Sequence, residues 1–213
     1  MGTKIIMIRH GYSISNNLKF FTGQSDIELT ELGREQARLC GELFKGYEGV
    51  DAVYSSDLSR AYDTAAEVAR ALSLDVVKDK GLREIYAGEW EMMPFAEIEA
   101  KYPEEYTVWK NDIGRAHPVG GESVAEMARR VEGAVRRIAL AHEGGCVVIA
   151  THATPIRAIC TLSEGHPLAD MGRVSWVSNA SVSVFDFDGE FKLVEENITS
   201  HLGSLKTDLP RGV

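Results

Sequence analysis

The chain has 213 residues, 44% of them hydrophobic and 26% charged, with a formal net charge of −9. That length and balance suit one domain with a full core. The acidic excess argues against nucleic-acid or anionic-membrane partners, and no apolar run approaches the ~20 residues of a membrane span.

A strand begins by Ile5, so no signal peptide is expected. Position 6 is Ile rather than Ser or Thr, so myristoylation is not supported. The expected location is the cytoplasm. Cys40, Cys146 and Cys160 show no metal-ligand spacing and are read as core residues in a reducing compartment.

In chain order, Ile5–Ile8 does not alternate and reads as a strand buried on both faces. Residues 30–46 read as a helix with Leu39, Cys40, Leu43 and Phe44 on one face. Residues 51–56 form a short strand. Asp57 is expected to cap the next helix, whose stripe is Leu58, Ala61, Ala65, Val68, Ala69 and Leu72. Another short strand follows at 74–79. Residues 81–121 are irregular, with one helix near 94–101. Ser123 and Glu126 make a capping box for a long helix that buries Val124, Met127, Val131, Ala134, Val135 and Ile138. Residues 146–150 form a second wholly apolar strand. Thr154 is expected to cap the helix after it, with Pro155 in the first turn. A hairpin turning at Asp188-Gly189 closes the chain. Strands alternating with helices predict an α/β fold, a mostly parallel sheet with at least one antiparallel strand.

The chemistry gathers at strand ends. "IIMIRHG" and "VVIATHA" both run from a buried strand into a histidine and a small residue. Ligands of open parallel sheets bind outside the carboxyl ends of the strands, so His10 and His152 are expected on one edge. Arg9 adjoins His10, and Arg60 opens the helix after residues 51–56. Guanidinium at a helix N-terminus opposes the dipole and suits a bound anion. Arg157 is read instead as pairing with a surface carboxylate. Glu84 completes a set for phosphoryl transfer, which needs a nucleophile, cations and a proton donor. No Walker A loop, paired-aspartate metal cluster or G-x-S-x-G elbow is present.

These motifs resemble the histidine phosphatase superfamily, also called the phosphoglycerate mutase-like family. "RHGYSISN", "TGQSDIELTELGREQA", "SSDLSRAYDTA", "LREIYAGEWE", "GGES" and "THATPIRA" occur in the family's order across nearly the whole chain. The resemblance implies a three-layer αβα sandwich and no metal or other cofactor. It implies that His10 is phosphorylated, that Arg9, Arg60 and His152 hold the phosphoryl group, and that Glu84 donates and then takes the proton. Asn16, Gly23, the N–H of Ala153 and Tyr12 are the expected phosphate or substrate contacts.

Four positions depart from the family pattern: Tyr12 for Glu or Gln, Asp63 for Gln, Met92 for Gly and Ala153 for Gly. Tyr12 is expected at the pocket mouth. Residues 86–121, with Tyr86, Trp90, Met92, Met93, Tyr102, Tyr106 and Trp109, are expected to cap the site within a single domain, 1–213. Ile85 and Ala87 stand where the mutases carry Arg and Tyr, and no paired-arginine insertion follows. The expected function is therefore hydrolysis of a small phosphorylated metabolite. The alternatives are a cofactor-dependent phosphoglycerate mutase and a catalytically silent phosphate- or phosphopeptide-binding protein. A homodimer is left open.

Overall fold

The computed structural model describes residues 2–207. The elements, in order, are β1 (Thr3–Arg9), α1 (Ile14–Leu18), β2 (Phe20–Phe21), α2 (Glu31–Leu43), β3 (Ala52–Ser55), α3 (Ser59–Leu72) and β4 (Val76–Lys78). Then come β5 (Met93–Pro94), α4 (Phe95–Lys101), α5 (Pro103–Asn111), α6 (Val124–Ala141), β6 (Cys146–Thr151), α7 (Ala153–Ser163), β7 (Val182–Phe187) and β8 (Phe191–Ile198). Short 3-10 turns fill several of the connections.

Six strands form one sheet in the order β4-β3-β6-β1-β7-β8. β4, β3, β6 and β1 are mutually parallel, and β7 runs against both of its neighbours. The predicted three-layer sandwich is what forms. Ile6, Ile8, Val148 and Ala150 pack toward Cys40, Ala65, Val68 and Ala69 of α2 and α3. Ile5, Met7, Val147 and Ile149 pack on the other face, toward Val131, Val135 and Ile138 of α6 and Ile156 and Ile159 of α7. This is why β1 and β6 carry no alternation: both faces are core. Each fully buried Ile or Val contributes roughly 1.5–3 kcal/mol by leaving water.

Several local expectations are corrected. The first long helix stops at Leu43, with Phe44 as its C-cap, and Leu43 is 42% exposed rather than packed. Leu58, not Asp57, is the N-cap of α3. Asp57 is drawn away by Arg83, which grips its carboxylate through two bonds of 2.6 and 2.7 Å. Thr154 lies inside α7, whose N-cap is His152. Among the described residues Arg157 forms no ion pair with a carboxylate. It donates to the Val174 carbonyl at 2.7 Å and lies over the Trp176 ring, 4.4 Å from its centroid.

Residues 86–121 hold more structure than expected. α5 was not foreseen, although Pro103 at its first turn is a helix-start signal. Trp90, Tyr106 and Trp109 are buried and meet edge to face, with Trp90 6.1 Å from Tyr106 and 6.2 Å from Trp109. Phe21 of β2 sits 4.9 Å from Trp109, so the small β2-β5 sheet ties this segment to the start of the chain. Met92 has φ +56°, the left-handed region, which costs a non-glycine residue roughly 1–2 kcal/mol. Among the described residues no helix is long and apolar enough to cross a membrane.

Candidate active site

A cavity opens at the carboxyl ends of β1 and β6. Arg9, His10, Arg60, Glu84 and Ala153 lie on it, with Ser15, Asn16, Thr22 and Gly23 on one side. Lys19, Phe20, Phe21, Phe95, Trp109, Thr154 and Trp176 complete its walls. His152 is fully buried and is not on the lining. Its ring meets the His10 ring edge to face, 5.1 Å between centroids.

β1 ends in Arg9 and turns through Gly11. A Cβ on Gly11 would drive into the carbonyl oxygen of Gly33, so only glycine lets the turn pack against α2. Asn179 steadies the turn by donating to the carbonyls of His10 (3.2 Å) and Gly11 (3.4 Å). The Nδ1 of His10 lies 2.7 Å from the Gly11 carbonyl, which can only accept. Nδ1 therefore carries the proton, and Nε2 keeps its lone pair. Burial first, then the charges of Arg60 and Arg9, pushes the His10 pKa well below the ordinary imidazole value, so the ring is neutral at neutral pH.

His152 is arranged the opposite way. Its Nε2 is 2.9 Å from Ser56 Oγ. That hydroxyl accepts from the Leu58 N–H at 3.4 Å and keeps both its proton and a second lone pair, so it can give to Nε2 or take from it. His152 Nδ1 has no protein partner among the described residues. Burial and the neighbouring Arg60 keep this imidazole neutral as well.

Arg60 is 1% exposed. It donates to the carbonyls of Gly23 and Ser25, each at 2.8 Å. Arg9 donates to the Val177 carbonyl at 2.6 Å, and its Nε has no protein partner among the described residues. Burial lowers both guanidinium pKa values to about 10, which still leaves them cationic at neutral pH. An unpaired buried donor costs about 1–3 kcal/mol, so Arg9 Nε favours an anion at this floor.

Glu84 follows a turn that Arg130 fixes. Arg130 forks onto Glu122 at 2.9 and 2.7 Å and donates to the carbonyls of Gly81, Arg83 and Glu84. The Glu84 carboxylate accepts from Ile85 N (2.9 Å) and Thr154 N (3.3 Å). Burial outweighs those bonds and raises its pKa, so it holds a proton at higher pH than an ordinary carboxylate.

Of the expected site residues, Arg9, His10, Asn16, Gly23, Arg60, Glu84 and Ala153 meet at the cavity. Tyr12 does not. It is half-buried and held by its backbone, with its N–H on Gln36 Oε1 and its carbonyl on Thr30. The feature that favoured a silent binder, a tyrosine filling the pocket, is therefore gone. Ser56, Glu91, Glu122, Arg130 and Asn179 were not anticipated. Among the described residues no three His, Cys, Asp or Glu side chains converge as a metal site.

Two buried histidines and two buried arginines at the carboxyl edge of a mixed α/β sheet define an anion-handling enzyme site with imidazole at its centre. The chain belongs to the histidine phosphatase superfamily, branch 1, whose pattern matches residues 5–199. It is 33% identical over 211 residues to phosphoserine phosphatase 1 of Hydrogenobacter thermophilus, covering 99% of each chain. It is 34% identical over 186 residues to glucosyl-3-phosphoglycerate phosphatase of Mycobacterium tuberculosis, covering 84% of this chain and 82% of the relative. The solved mycobacterial glucosyl-3-phosphoglycerate phosphatase superposes with a TM-score of 0.85 at 30% identity, over 93% of this chain and all of the other. The chain also spans 55% of a bifunctional Mycobacterium tuberculosis protein at 35% identity.

Proposed function

We propose that this protein hydrolyses small phosphomonoesters through a phosphohistidine on His10. The observation that carries the reading is the committed Nδ1–H of His10, which leaves a neutral Nε2 lone pair at a cavity floored by Arg9 and Arg60. Nε2 attacks phosphorus as the ester P–O bond breaks. Arg9, Arg60 and the Nδ1–H of His152 neutralise the equatorial oxygens. Asn16 Oδ1 is taken up by Ser13 and Asn179, so its amide N–H is the part left to donate. Glu84 gives its proton to the leaving oxygen, then takes one from water, which attacks phosphorus and breaks the P–N bond. Inorganic phosphate leaves, and Glu84 is protonated again.

Hydrolysis is favoured over a mutase reaction. Ile85 and Ala87, at the positions where mutases carry Arg and Tyr, are fully buried apolar residues. Beyond Arg9 and Arg60 the cavity lining offers one cation among the described residues, Lys19. One ammonium suits a carboxylate better than a second phosphate, so the preferred substrate is a phosphoester of a small organic acid. Phosphoserine and glucosyl-3-phosphoglycerate, named for the relatives, are both of this kind. Three buried free thiols fit a reducing cytoplasm.

The test is phosphate release with EDTA present, together with a denaturing quench that traps an acid-labile phosphoprotein. Wild type is expected to show both and His10→Ala neither; a variant that releases phosphate at the wild-type rate overturns the reading. Lys19→Met should raise KM for phosphoserine about tenfold, worth about 1.4 kcal/mol, and leave KM for p-nitrophenyl phosphate unchanged.

A further inference from the structure

Two loops meet beside the cavity. Residues 22–25 carry the carbonyls on which Arg60 rests, Gly23 and Ser25. Residues 83–91 carry Glu84. Glu91 joins them without lining the cavity itself. Its Oε1 accepts from Gln24 N at 2.8 Å and from Ala87 N at 3.0 Å. Its Oε2 accepts from Ser25 N at 2.7 Å and Ser25 Oγ at 2.5 Å. Gln24 adds a second stitch, donating to the Glu84 carbonyl at 3.1 Å and accepting from Arg83 at 3.2 Å.

Four donors converge on two oxygens, a pattern only a carboxylate satisfies. A glutamine would turn its NH2 toward two donors in one of its two orientations and lose the pairing at one oxygen in either. Gly23 has φ +52°, and a Cβ there would press onto Glu91 Oε1. Directly after Glu91 the chain takes left-handed backbone at Met92, whose N–H bonds the Phe21 carbonyl at 2.8 Å. The backbone is bent on both sides of the contact to bring this carboxylate and that loop together.

We propose that Glu91 is a positioning residue that sets Arg60 and Glu84 relative to each other, so that phosphate grip and proton donation are coupled through one carboxylate. This rests on the roles given to Arg60 and Glu84 above. Arg60 reads one side of the clasp, because its two carbonyl anchors move with residues 23–25. Glu84 reads the other, because its carbonyl is stitched to Gln24.

The test compares Glu91→Gln, Gly23→Ala and Gln24→Ala with two readouts. Affinity for inorganic phosphate reports on Arg60. The ratio of kcat for p-nitrophenyl phosphate to kcat for an alkyl phosphate reports on Glu84, since only the poor leaving group needs the acid. Glu91→Gln is expected to weaken phosphate binding about tenfold and to raise the leaving-group ratio about tenfold, together. Gly23→Ala, which pushes on the same oxygen, moves both in the same directions. Gln24→Ala raises the ratio and leaves phosphate affinity within about twofold.

A folded Glu91→Gln protein that moves neither readout, or only one, overturns the proposal. Equal kcat losses on both substrates with unchanged phosphate affinity also overturn it, because a reduced folded fraction gives that pattern. If Glu91→Gln does not fold, Gly23→Ala and Gln24→Ala decide by the same criteria. Failure of the functional reading is separate: there His10→Ala keeps wild-type phosphate release whatever the Glu91 variants do.

Discussion

His10 and His152 stand at the ends of neighbouring parallel strands, yet the fold uses opposite nitrogens of the two rings. His10 gives Nδ1 to a main-chain carbonyl next door in sequence. His152 gives Nε2 to a serine hydroxyl from another strand end. The first arrangement leaves a lone pair; the second leaves Nδ1 without a protein partner among the described residues and, on the proposed mechanism, as an N–H. On the proposed mechanism two chemically identical residues in similar settings serve as a nucleophile and a donor, and each ring is held by a different group behind it.

The largest effect that can break this comparison is on His10. His10→Ala should lower kcat on the order of 10⁴-fold or more, since no other group supplies the lone pair. His152→Ala should cost about 10²–10³-fold, the usual loss for one transition-state donor. Equal losses would mean the two rings are not different in kind. Ser56→Ala is milder, about tenfold, because it removes only the group that holds the His152 tautomer; single-turnover rates against pH would measure it.

The smallest effect is on stability. Both rings have pKa values below the unfolded value of about 6.5, so below that pH the unfolded chain takes up protons first. Their contribution is complete above that pH and is lost as pH falls through it toward the depressed folded values. Each ring removes up to about 1.4 kcal/mol per pH unit in that window. Urea titrations from pH 7 to 5 should show a shallower loss for His10→Ala than for wild type. Identical slopes would mean that ring is not held neutral.

Much of this site was legible in the sequence. Apolar runs that refuse to alternate marked β1 and β6, and residues that end such strands in a parallel sheet have one edge to occupy. That placed His10 and His152, and helix-start arginine placed Arg60. What escaped were contacts that leave no local pattern. Glu91 reaches Gln24 across 67 residues, and Asn179 reaches His10 across 169. Asp57 has the composition of an N-cap and was read as one, but Arg83 competes for its carboxylate with a two-point grip. Tyr12 lies off the cavity lining because nearness in sequence to His10 does not fix direction: beyond the Gly11 turn its backbone is bonded to Gln36 and Thr30.

The place of β1 in the sheet has a consequence for how the molecule is made. The strand is synthesised first but lies in the interior of the sheet, with Ile8 opposite Ala150 on one side and Val182 on the other. Both partners emerge from the ribosome long after it. Folding must close two very long chain loops before the strand that leads to His10 has neighbours, a topology that folds slowly. A nascent chain therefore carries His10, Arg60 and Glu84 as unconnected side chains for most of its synthesis. The turn at His10 is steadied by Asn179, just before β7, so the site is complete only once this late segment of the chain has joined β1.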